Sequence, residues 1–596
     1  MKVATDPATE LLRRLQRLLR WRLWIQEKMQ LTEWQVTLLW AALAGFLGCL
    51  VSLIFSALAE GVHEMLTGTS AGVVESMRQL PWWGCLLVPA MGGAAAGLVL
   101  HYGQRLTRAQ SSTDYMEAIA IGNGRIPVRA SLVKSVAALF SIGSGGSIGR
   151  EGPMVQLAAV VASLVGRWRL FTGPQLRLIV ACGASAGIAS AYNAPIAGSF
   201  FVAEIILGTI AMESLGPLAV SAVVAALTIR VLTSAQVMYH VPAFQLNSAW
   251  EMGPYVVLGL VTGSLAPAFL RSLKQAEEFF LSLKLPIGWR LALGGALVGA
   301  MAINVPQVCG NGYSVVVQIL NGPVAWRVLL GVFACKWLAT MASFGSGAPG
   351  GVFTPSLFMG ASAGYLFGAA VHAVWPTGAA DPGAFALVGM GAFLAAASRA
   401  PVMAIIMLFE MTLSYDIILP LMLCSVIAYY TAKGIQGSDS LYSDALKRKE
   451  GESAAPMVPV GRVRELMRTN PPVLSPSARF EEIAQLFLGV RVNNLYVCDP
   501  AGGRFMGAVS LHDIKPYLAD GNLAGLVLAR DILREDFPRI GPSQSMSDAL
   551  GLFLAHPVER LPVVDPETGG LLGSLAKTDL LLALVEKRRR PTGEVA

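Results

Sequence analysis

Residues 143–153 read Gly-Ser-Gly-Gly-Ser-Ile-Gly-Arg-Glu-Gly-Pro, and this polar break in a long apolar region decides the fold. In a lipid bilayer such a break, with its unpaired backbone N–H groups, is tolerated only where protein or a cavity surrounds it. Because Pro153 suits the first turn of a helix, a helix is predicted to begin here with its positive dipole end at the break. Free N–H groups at a helix start bind anions. The carboxylate of Glu151 competes for the same groups, so the stretch predicts an anion site that contains its own negative charge.

A second stretch, residues 345–355, repeats this spacing and reads Gly-Ser-Gly-Ala-Pro-Gly-Gly-Val-Phe-Thr-Pro. When the two stretches are superimposed, Gly149 matches Gly351 and Glu151 matches Phe353. The correspondence continues downstream, where Pro195 matches Pro401 and Glu204 matches Glu410. Two related halves with broken helices at matching positions predict a transporter whose site lies at the repeat interface.

The composition is that of a polytopic membrane protein. Of 596 residues, 54% are hydrophobic and 14% are charged, whereas a soluble domain has about 25% charged residues. Residues 35–59 and 81–100 carry no charge and are long enough to span a bilayer. Later apolar segments are short and cut by Gly and Pro, which favours tilted and half-crossing helices. The net charge of +7 indicates cytoplasmic loops rather than nucleic-acid binding.

Residues 1–34 form a separate basic segment that is predicted to be helical and cytoplasmic. Its leucines can share one face, which suits a helix lying on an anionic leaflet. An ordinary basic helix packed on the protein explains the pattern equally well, and the sequence leaves both interpretations open. No signal peptide is expected, because the basic region is too long and no small-residue cleavage site follows it.

Three motifs together resemble those of the CLC chloride channels and proton-coupled anion transporters, in their ClcB-like bacterial branch. They are Gly-Arg-Glu-Gly-Pro at 149–153, Gly-Val-Phe-Thr-Pro at 351–355 and Leu-Tyr-Ser at 441–443. The resemblance covers residues 35–448 and implies an all-α polytopic membrane domain with broken and re-entrant helices. The implied inverted repeat has halves at about 35–235 and 250–448. A homodimer in the bacterial inner membrane is also implied, with both termini cytoplasmic and one chloride path per subunit.

The resemblance also assigns roles to individual residues. Glu151 matches the gating glutamate, which blocks the pore as an anion mimic and carries a proton when it is displaced. Transport is therefore expected to rise as the pH falls. The positions implied to bind or flank the anion are Ser111, Arg150, Gly152, Val352, Phe353 and Tyr442. Of these, Val352 and Phe353 would contribute backbone amides and Tyr442 its hydroxyl.

Two departures from the family pattern affect selectivity and coupling. Ser111 is the aligned hydroxyl of the central site, but it lacks the surrounding glycines and proline of the family motif. The preferred anion, whether chloride, nitrate or another, therefore stays open. Proton-coupled members carry an internal glutamate where this sequence has Ile205, which cannot relay a proton. Glu204 is a candidate relay, although a structural carboxylate paired with a basic residue is the favoured interpretation. We expect channel-like or weakly proton-coupled transport, with stoichiometric chloride/proton antiport as the alternative.

The composition changes after residue 447. A charged linker at 449–459 precedes two similar units, 460–520 and 528–590, which resemble a pair of α/β CBS domains. Each unit is predicted to contain a helix, a strand, a turn, a second strand and a final helix. The first of these strands are predicted at 494–498 and 560–564.

The CBS resemblance bears on nucleotide binding. It implies contacts to the ribose of an adenine nucleotide by Ser510 and Asp513. In the second unit Asp579 remains, whereas Ala576 replaces the hydroxyl. No cofactor is required for transport. A nucleotide site and a purely structural dimerising pair both stay open.

Two other classes of protein fit the sequence less well. A divalent-metal transporter with CBS domains needs acidic ligands along its path, whereas the glycine-rich helix starts favour anions. An intramembrane zinc protease needs His-Glu-x-x-His, and residues 63–67 lack the second histidine. The seven cysteines contain no Cys-x-x-Cys and suggest neither a zinc site nor a disulfide framework. An enzyme is therefore not expected.

Overall fold

The computed structural model of the chain divides into two compact units, Met1–Lys447 and Arg448–Ala596. The residues that it describes are 32–106, 114–168, 171–233, 238–239, 241, 249–376, 380–436, 461–490, 492–518, 527–556, 558–580 and 582–583. The predicted linker 449–459, almost all of the basic segment 1–34, and the candidate residues Ser111 and Tyr442 lie outside these described ranges.

The first unit is built from helices of very unequal length. In chain order these are α1 (Glu33–Thr67), α2 (Val73–Gln79), α3 (Trp82–Leu106), α4 (Tyr115–Ala120), α5 (Val128–Gly143), α6 (Glu151–Trp168), α7 (Gly173–Tyr192), α8 (Pro195–Phe200, continued by a π-helical turn Phe201–Leu207), α9 (Met212–Thr233), α10 (Met252–Ser282), α11 (Ile287–Ala302), α12 (Tyr313–Asn321), α13 (Trp326–Gly345), α14 (Phe353–Val374), α15 (Pro382–Ser398), α16 (Pro401–Thr412) and α17 (Ile418–Gln436). Among the described residues, seven helices are long and apolar enough to cross a membrane: α1, α3, α9, α10, α13, α14 and α17. Shorter apolar helices such as α8 and α16 lie among them in the chain, where the sequence predicted segments cut by Gly and Pro.

The inverted repeat predicted from the sequence is present in the backbone. Helix α6 begins at Glu151 and helix α14 begins at Phe353, the two positions that the superimposed sequences pair. Gly149 and Gly351 exchange both backbone hydrogen bonds, at 2.7 and 2.8 Å, in an antiparallel bridge. The two glycine-rich breaks therefore meet at equivalent residues of the two halves.

The second pair of repeated segments also has one backbone conformation. Helix α7 ends at Asn193 with φ of 52°, and helix α15 ends at Arg399 with φ of 62°. In both, a single alanine follows and then a proline opens the next helix, α8 or α16. A left-handed residue stops a helix, and a proline at the first position starts the next one.

Helix α15 forms the centre of the first unit. Every residue from Gly383 to Ser398 is buried, which explains why this helix is apolar all round. It packs closely on α14, where a Cβ atom built on Gly360 would lie 2.5 Å from the carbonyl oxygen of Gly389. Glycine is therefore required for the two helix backbones to approach this closely.

The second unit contains two small sheets. Its strands are β1 (Val473–Leu474), β2 (Asn494–Cys498), β3 (Phe505–Ser510), β4 (Arg560–Val564) and β5 (Leu571–Ala576), and its helices are α18 (Phe480–Gly489), α19 (Leu511–Leu518) and α20 (Met546–Ala555). β1 pairs in parallel with β2, β2 pairs antiparallel with β3, and β4 pairs antiparallel with β5. β2 and β4 have the bounds that the sequence predicted.

The two hairpins of the second unit repeat one irregularity. The register shifts after Val497 in β2 and after Val563 in β4, opposite Gly507 and Gly573. A Cβ at Gly573 would lie 2.6 Å from the carbonyl oxygen of Arg468, and one at Gly507 would lie 2.4 Å from that of Arg534. The N-terminal segment of each motif therefore approaches the other motif's hairpin closely. The two motifs are thus joined reciprocally through their N-terminal segments.

Candidate functional site

Glu151 lies where the two repeats meet, and its side chain is 4% exposed. Its Oε1 atom accepts hydrogen bonds from the hydroxyl of Tyr192 at 2.7 Å and from the backbone N–H of Thr354 at 2.8 Å. The hydroxyl of Thr354 also donates to Oε1. A carboxylate from the start of α6 is therefore held by donors from the end of α7 and the start of α14.

This arrangement explains the glycines around Glu151. A Cβ atom on Gly149 would overlap the Glu151 carboxylate, and a Cβ on Gly351 would lie 3.0 Å from Oε2. Oε2 itself is buried and has no hydrogen-bond partner among the described residues. The carboxylate thus occupies a compact site lined by backbone, as a small anion would.

The other sequence-predicted residues of this site lie close by. Val352 is the N-cap of α14 and Phe353 is its first residue, so their N–H groups belong to the helix start. Gly152 lies in the first turn of α6, beside Gly351 of the opposite break. The structure brings Glu151, Gly152, Val352 and Phe353 together.

Arg150 immediately precedes Glu151 and lines two open cavities. Its guanidinium lies 3.6 Å from the Glu60 carboxylate, and the two side chains are 36% and 76% exposed. Ion pairs this exposed add little stability. Two cavities, of about 880 and 510 Å³, have both residues in their walls, and Tyr192 lines the smaller one. Arg150 therefore places positive charge along an approach to Glu151.

Sequence reasoning missed Tyr192 and Thr354. The Tyr192 ring lies 5.2 Å from the Phe353 ring, and its hydroxyl is 3.0 Å from the Thr354 Oγ1. Thr354 stands within the quoted repeat motif, and Tyr192 immediately precedes the Asn-Ala-Pro that ends the downstream repeat. Hydroxyl groups inside matched repeat segments were the available signal.

Glu204 and Glu410 cap helices in the opposite repeat. The Glu204 carboxylate accepts the N–H groups of Val402 at 3.3 Å and Met403 at 2.8 Å, at the start of α16. Reciprocally, the Glu410 carboxylate accepts those of Ile196 at 2.9 Å and Ala197 at 2.7 Å, at the start of α8. Among the described residues, the donors to Glu204 are these two N–H groups at the positive dipole end of a helix, where the sequence predicted a basic side chain. A proton-relay role for Glu204 stays a prediction.

Lys336 is a fully buried cation on α13. Its Nζ donates to the carbonyl oxygens of Val308 at 2.8 Å and Gly310 at 2.6 Å, and it lies 5.7 Å from the centre of the Phe358 ring. Gly310 in turn donates its N–H to Gly145 in the first glycine-rich break. Lys336 thus supports the loop that packs against the break.

The candidate nucleotide residues of the second unit are engaged by arginines. Asp513 accepts from the guanidinium of Arg534 at 2.5 Å, and Asp579 accepts from Arg468 at 2.8 and 3.0 Å. Ser510 accepts a local hydrogen bond from the His512 N–H at 3.2 Å. Each aspartate is therefore paired with an arginine from the N-terminal segment of the other motif.

In the part of the chain that the structure describes, no group of three His, Cys, Asp or Glu side chains could hold a metal ion. All seven cysteines are free.

Comparison with known families identifies both parts of the chain. The model described as "Voltage gated chloride channel" matches residues 91–433. The CBS domain model matches residues 463–520 and 529–586. The chain is 49% identical to a putative chloride channel protein, ClcB-like, of Ralstonia nicotianae over 419 residues, which are 69% of this chain and 97% of that protein. It is 41% identical to the voltage-gated ClC-type chloride channel ClcB of Escherichia coli over 380 residues, 63% of this chain and 90% of that protein.

Solved structures share the fold. A slow cyanobacterial Cl⁻/H⁺ antiporter superimposes with a TM-score of 0.63 at 25% identity, over 71% of this chain and 99% of that chain. A eukaryotic CLC transporter superimposes with a TM-score of 0.58 at 18% identity, over 91% and 97% of the two chains. These matches agree with two features of the structure, which are the glutamate held between two repeated helix starts and the long apolar helices. The chain is an integral membrane protein of the CLC chloride channel and transporter family, with a C-terminal pair of CBS domains.

Proposed function

We propose that this CLC-type chloride transport protein moves anions past Glu151, which acts as its gate. The observation that carries the proposal is the position of the Glu151 carboxylate, which is buried on donors from both repeats. A carboxylate carries one negative charge and accepts hydrogen bonds, as chloride does. The side chain therefore competes with the transported anion for one set of donors.

The gate responds to protonation. When Glu151 is ionised, its charge and the donors of Thr354 and Tyr192 attract each other across a site that excludes water. Protonation removes that charge and most of the attraction, so the side chain can leave and an anion can enter. Flux should therefore rise as the pH falls.

Proton coupling is proposed to be weak. Ile205 cannot accept a proton, and the Glu204 carboxylate is already occupied by two N–H groups of α16. Stoichiometric chloride/proton exchange is the second candidate function. It is favoured by the similarity to the cyanobacterial Cl⁻/H⁺ antiporter, at 25% identity.

The remaining parts of the path are proposed from the family resemblance. The N–H groups of Val352 and Phe353 would hold a central anion, with the hydroxyls of Ser111 and Tyr442 completing the site. We further propose a homodimer with one path per subunit, in the bacterial inner membrane, with both termini in the cytoplasm. Chloride is the expected anion, and other small anions are expected to compete with it.

The test is flux from purified protein in liposomes, with chloride and pH recorded together. Wild-type chloride efflux should rise at acid pH and should carry few protons. Glu151→Gln removes the competing charge, so chloride flux should persist and become nearly independent of pH. If Glu151→Gln retained the wild-type pH dependence, the carboxylate would be structural. Uphill proton transport at a fixed chloride ratio would select the exchanger.

A further inference from the structure

Two hydroxyl groups meet on one oxygen of the gating carboxylate. Tyr192 and Thr354 come from opposite repeats, are 3% and 5% exposed, and both donate to Oε1 of Glu151. The helix start of α14 already supplies the N–H of Thr354 to the same oxygen. The two hydroxyls are therefore side-chain donors that add to the backbone N–H of Thr354 on this oxygen.

The same donors remain when the carboxylate leaves. The Tyr192 ring is fixed against Phe353, and Thr354 belongs to the first turn of α14, so neither hydroxyl can follow the departing side chain far. Once the carboxylate leaves, one hydroxyl can donate to the other across 3.0 Å, but the N–H of Thr354 loses its acceptor, and a buried donor without an acceptor costs free energy. A small anion at the former position of Oε1 would accept from both hydroxyls and from the N–H of Thr354.

We propose that the hydroxyls of Tyr192 and Thr354 are specificity-determining ligands of the transported anion, which they bind after holding the carboxylate of Glu151. The ligand is a small monoanion that accepts hydrogen bonds. The proposal rests on the gating role of Glu151 and adds two side-chain ligands for the anion that replaces its carboxylate. It also separates two effects of each hydroxyl, one on the closed gate and one on the bound anion.

The other charged and titratable groups near Glu151 act at longer range. Arg150 and the buried Tyr239 interact with the carboxylate electrostatically. Glu60 pairs with Arg150, and Lys134 on α5 is exposed and interacts with Asp114. Among the described residues, none of these groups donates a hydrogen bond to Oε1.

The first measurement is the pH dependence of chloride flux in liposomes. Hydrogen bonds to a carboxylate favour its ionised form, so Tyr192→Phe and Thr354→Val should each make the gate open at a higher pH. The pH of half-maximal flux should rise by about one unit for each hydroxyl removed. Thr354→Ser, which restores the hydroxyl, should recover most of that shift. The matched control is Tyr365→Phe on α14, which removes a buried hydroxyl that accepts from Val324 and does not contact Glu151.

The second measurement isolates the anion from the gate. In protein carrying Glu151→Gln, calorimetry should show chloride binding weakened about fivefold by Tyr192→Phe or by Thr354→Val. The flux ratio of chloride to nitrate should change in the same variants. Thr262→Val, which removes a buried hydroxyl bonded within α10, should leave both values unchanged.

The outcomes distinguish the two proposals. If Glu151→Gln flattened the pH profile while both hydroxyl variants kept the profile and chloride affinity of their parents, the gate would stand and the ligand role would be overturned. Equal loss of flux in Thr354→Ser and Thr354→Val would also overturn it, because the hydroxyl would not be the active feature. If Glu151→Gln kept the wild-type profile, the proposed gate would fail first.

Discussion

Gln156 ties α6, the helix that begins at Glu151, to two neighbouring segments. Its side chain is 8% exposed, accepts from the Tyr115 N–H at 3.0 Å, and donates to the Ser131 hydroxyl at 2.9 Å. Gln156→Leu leaves both groups buried without this partner, which should lower the free energy of unfolding by about 1–3 kcal/mol. Thermal unfolding of the purified protein in detergent measures the loss. The exposed Gln318→Leu on α12 is the control and should change stability by no more than about 0.5 kcal/mol; an equal effect of both variants would contradict the role given to Gln156.

The place of a single residue in the structure could be predicted where its contacts are local, but not where they depend on packing. Glu151 could be recognised because its own helix start and the glycines beside it are contiguous in sequence. Tyr192 and Thr354 could not be assigned, because their hydroxyls reach Glu151 only through the meeting of segments 41 and 203 residues away. A hydroxyl in a motif does not reveal which way its side chain points.

At the scale of elements, the reciprocal caps of α8 and α16 give a matched pair of variants. Glu204→Gln and Glu410→Gln each remove a negative charge from a helix start, where it contributes about 0.3–1 kcal/mol, and up to about 2 kcal/mol when partly buried. Both variants should therefore lose a similar amount of stability, measured by thermal unfolding. Both should leave the ratio of chloride to proton flux unchanged.

Unequal behaviour of these two variants would contradict the purely structural role. If Glu204→Gln abolished proton movement while Glu410→Gln preserved it, Glu204 would be the internal proton relay as well as a cap. The comparison is internally controlled, because the repeat places both carboxylates on equivalent helix starts.

The crossing of α14 and α15 depends on the absence of side chains. Gly360→Ala would place a methyl group 2.5 Å from the Gly389 carbonyl oxygen, and such overpacking costs about 1–3 kcal/mol. Gly331→Ala on α13 meets no atom within 4 Å and should stabilise its helix by up to about 1 kcal/mol. Opposite shifts of the unfolding temperature are expected. A neutral Gly360→Ala would show that the two helices can separate without loss.

Helix boundaries were predictable wherever glycine and proline mark them. The breaks before Pro153, Pro195 and Pro401 all appear as helix starts in the structure. The partner of Glu204 was missed because a helix start bears no charge in the sequence, although its N–H groups attract a carboxylate as a basic side chain would. Counting charged residues therefore predicted a basic side chain at a place where the described donors are the N–H groups of a helix start.

At the scale of the whole molecule, variants of the second unit test whether it binds an adenine nucleotide. Arg534→Ala releases Asp513 from an exposed ion pair, which should tighten binding of ATP or AMP up to about fivefold if the aspartate contacts ribose. Asp513→Ala should weaken binding about tenfold or more. Calorimetry on the full-length protein provides the measurement. Arg530→Ala, which breaks the exposed pair with Asp531, is the control; absence of heat with any adenine nucleotide would leave only a structural pair.

The membrane class and the repeat could be read from regular patterns in the sequence, whereas the inversion of the repeat and the CBS pair were implied by family resemblance. Apolar runs reveal spanning helices, and equal spacing reveals duplication. The sequence did not reveal that the arginines Arg468 and Arg534 pair with the aspartates of the opposite CBS motif. That contact depends on how the two motifs exchange their N-terminal segments, which no local pattern encodes.

The bridge between Gly149 and Gly351 has an evolutionary consequence. Both of its hydrogen bonds join main-chain atoms, so neither depends on which side chains stand nearby. After an ancestral duplication, the two copies could accumulate different residues at the adjoining positions and still dock in the same alignment. One copy could acquire the acid of Glu151 while the other acquired the aromatic ring of Phe353. A junction that is symmetric in its backbone thus permits a division of labour between two halves of common descent.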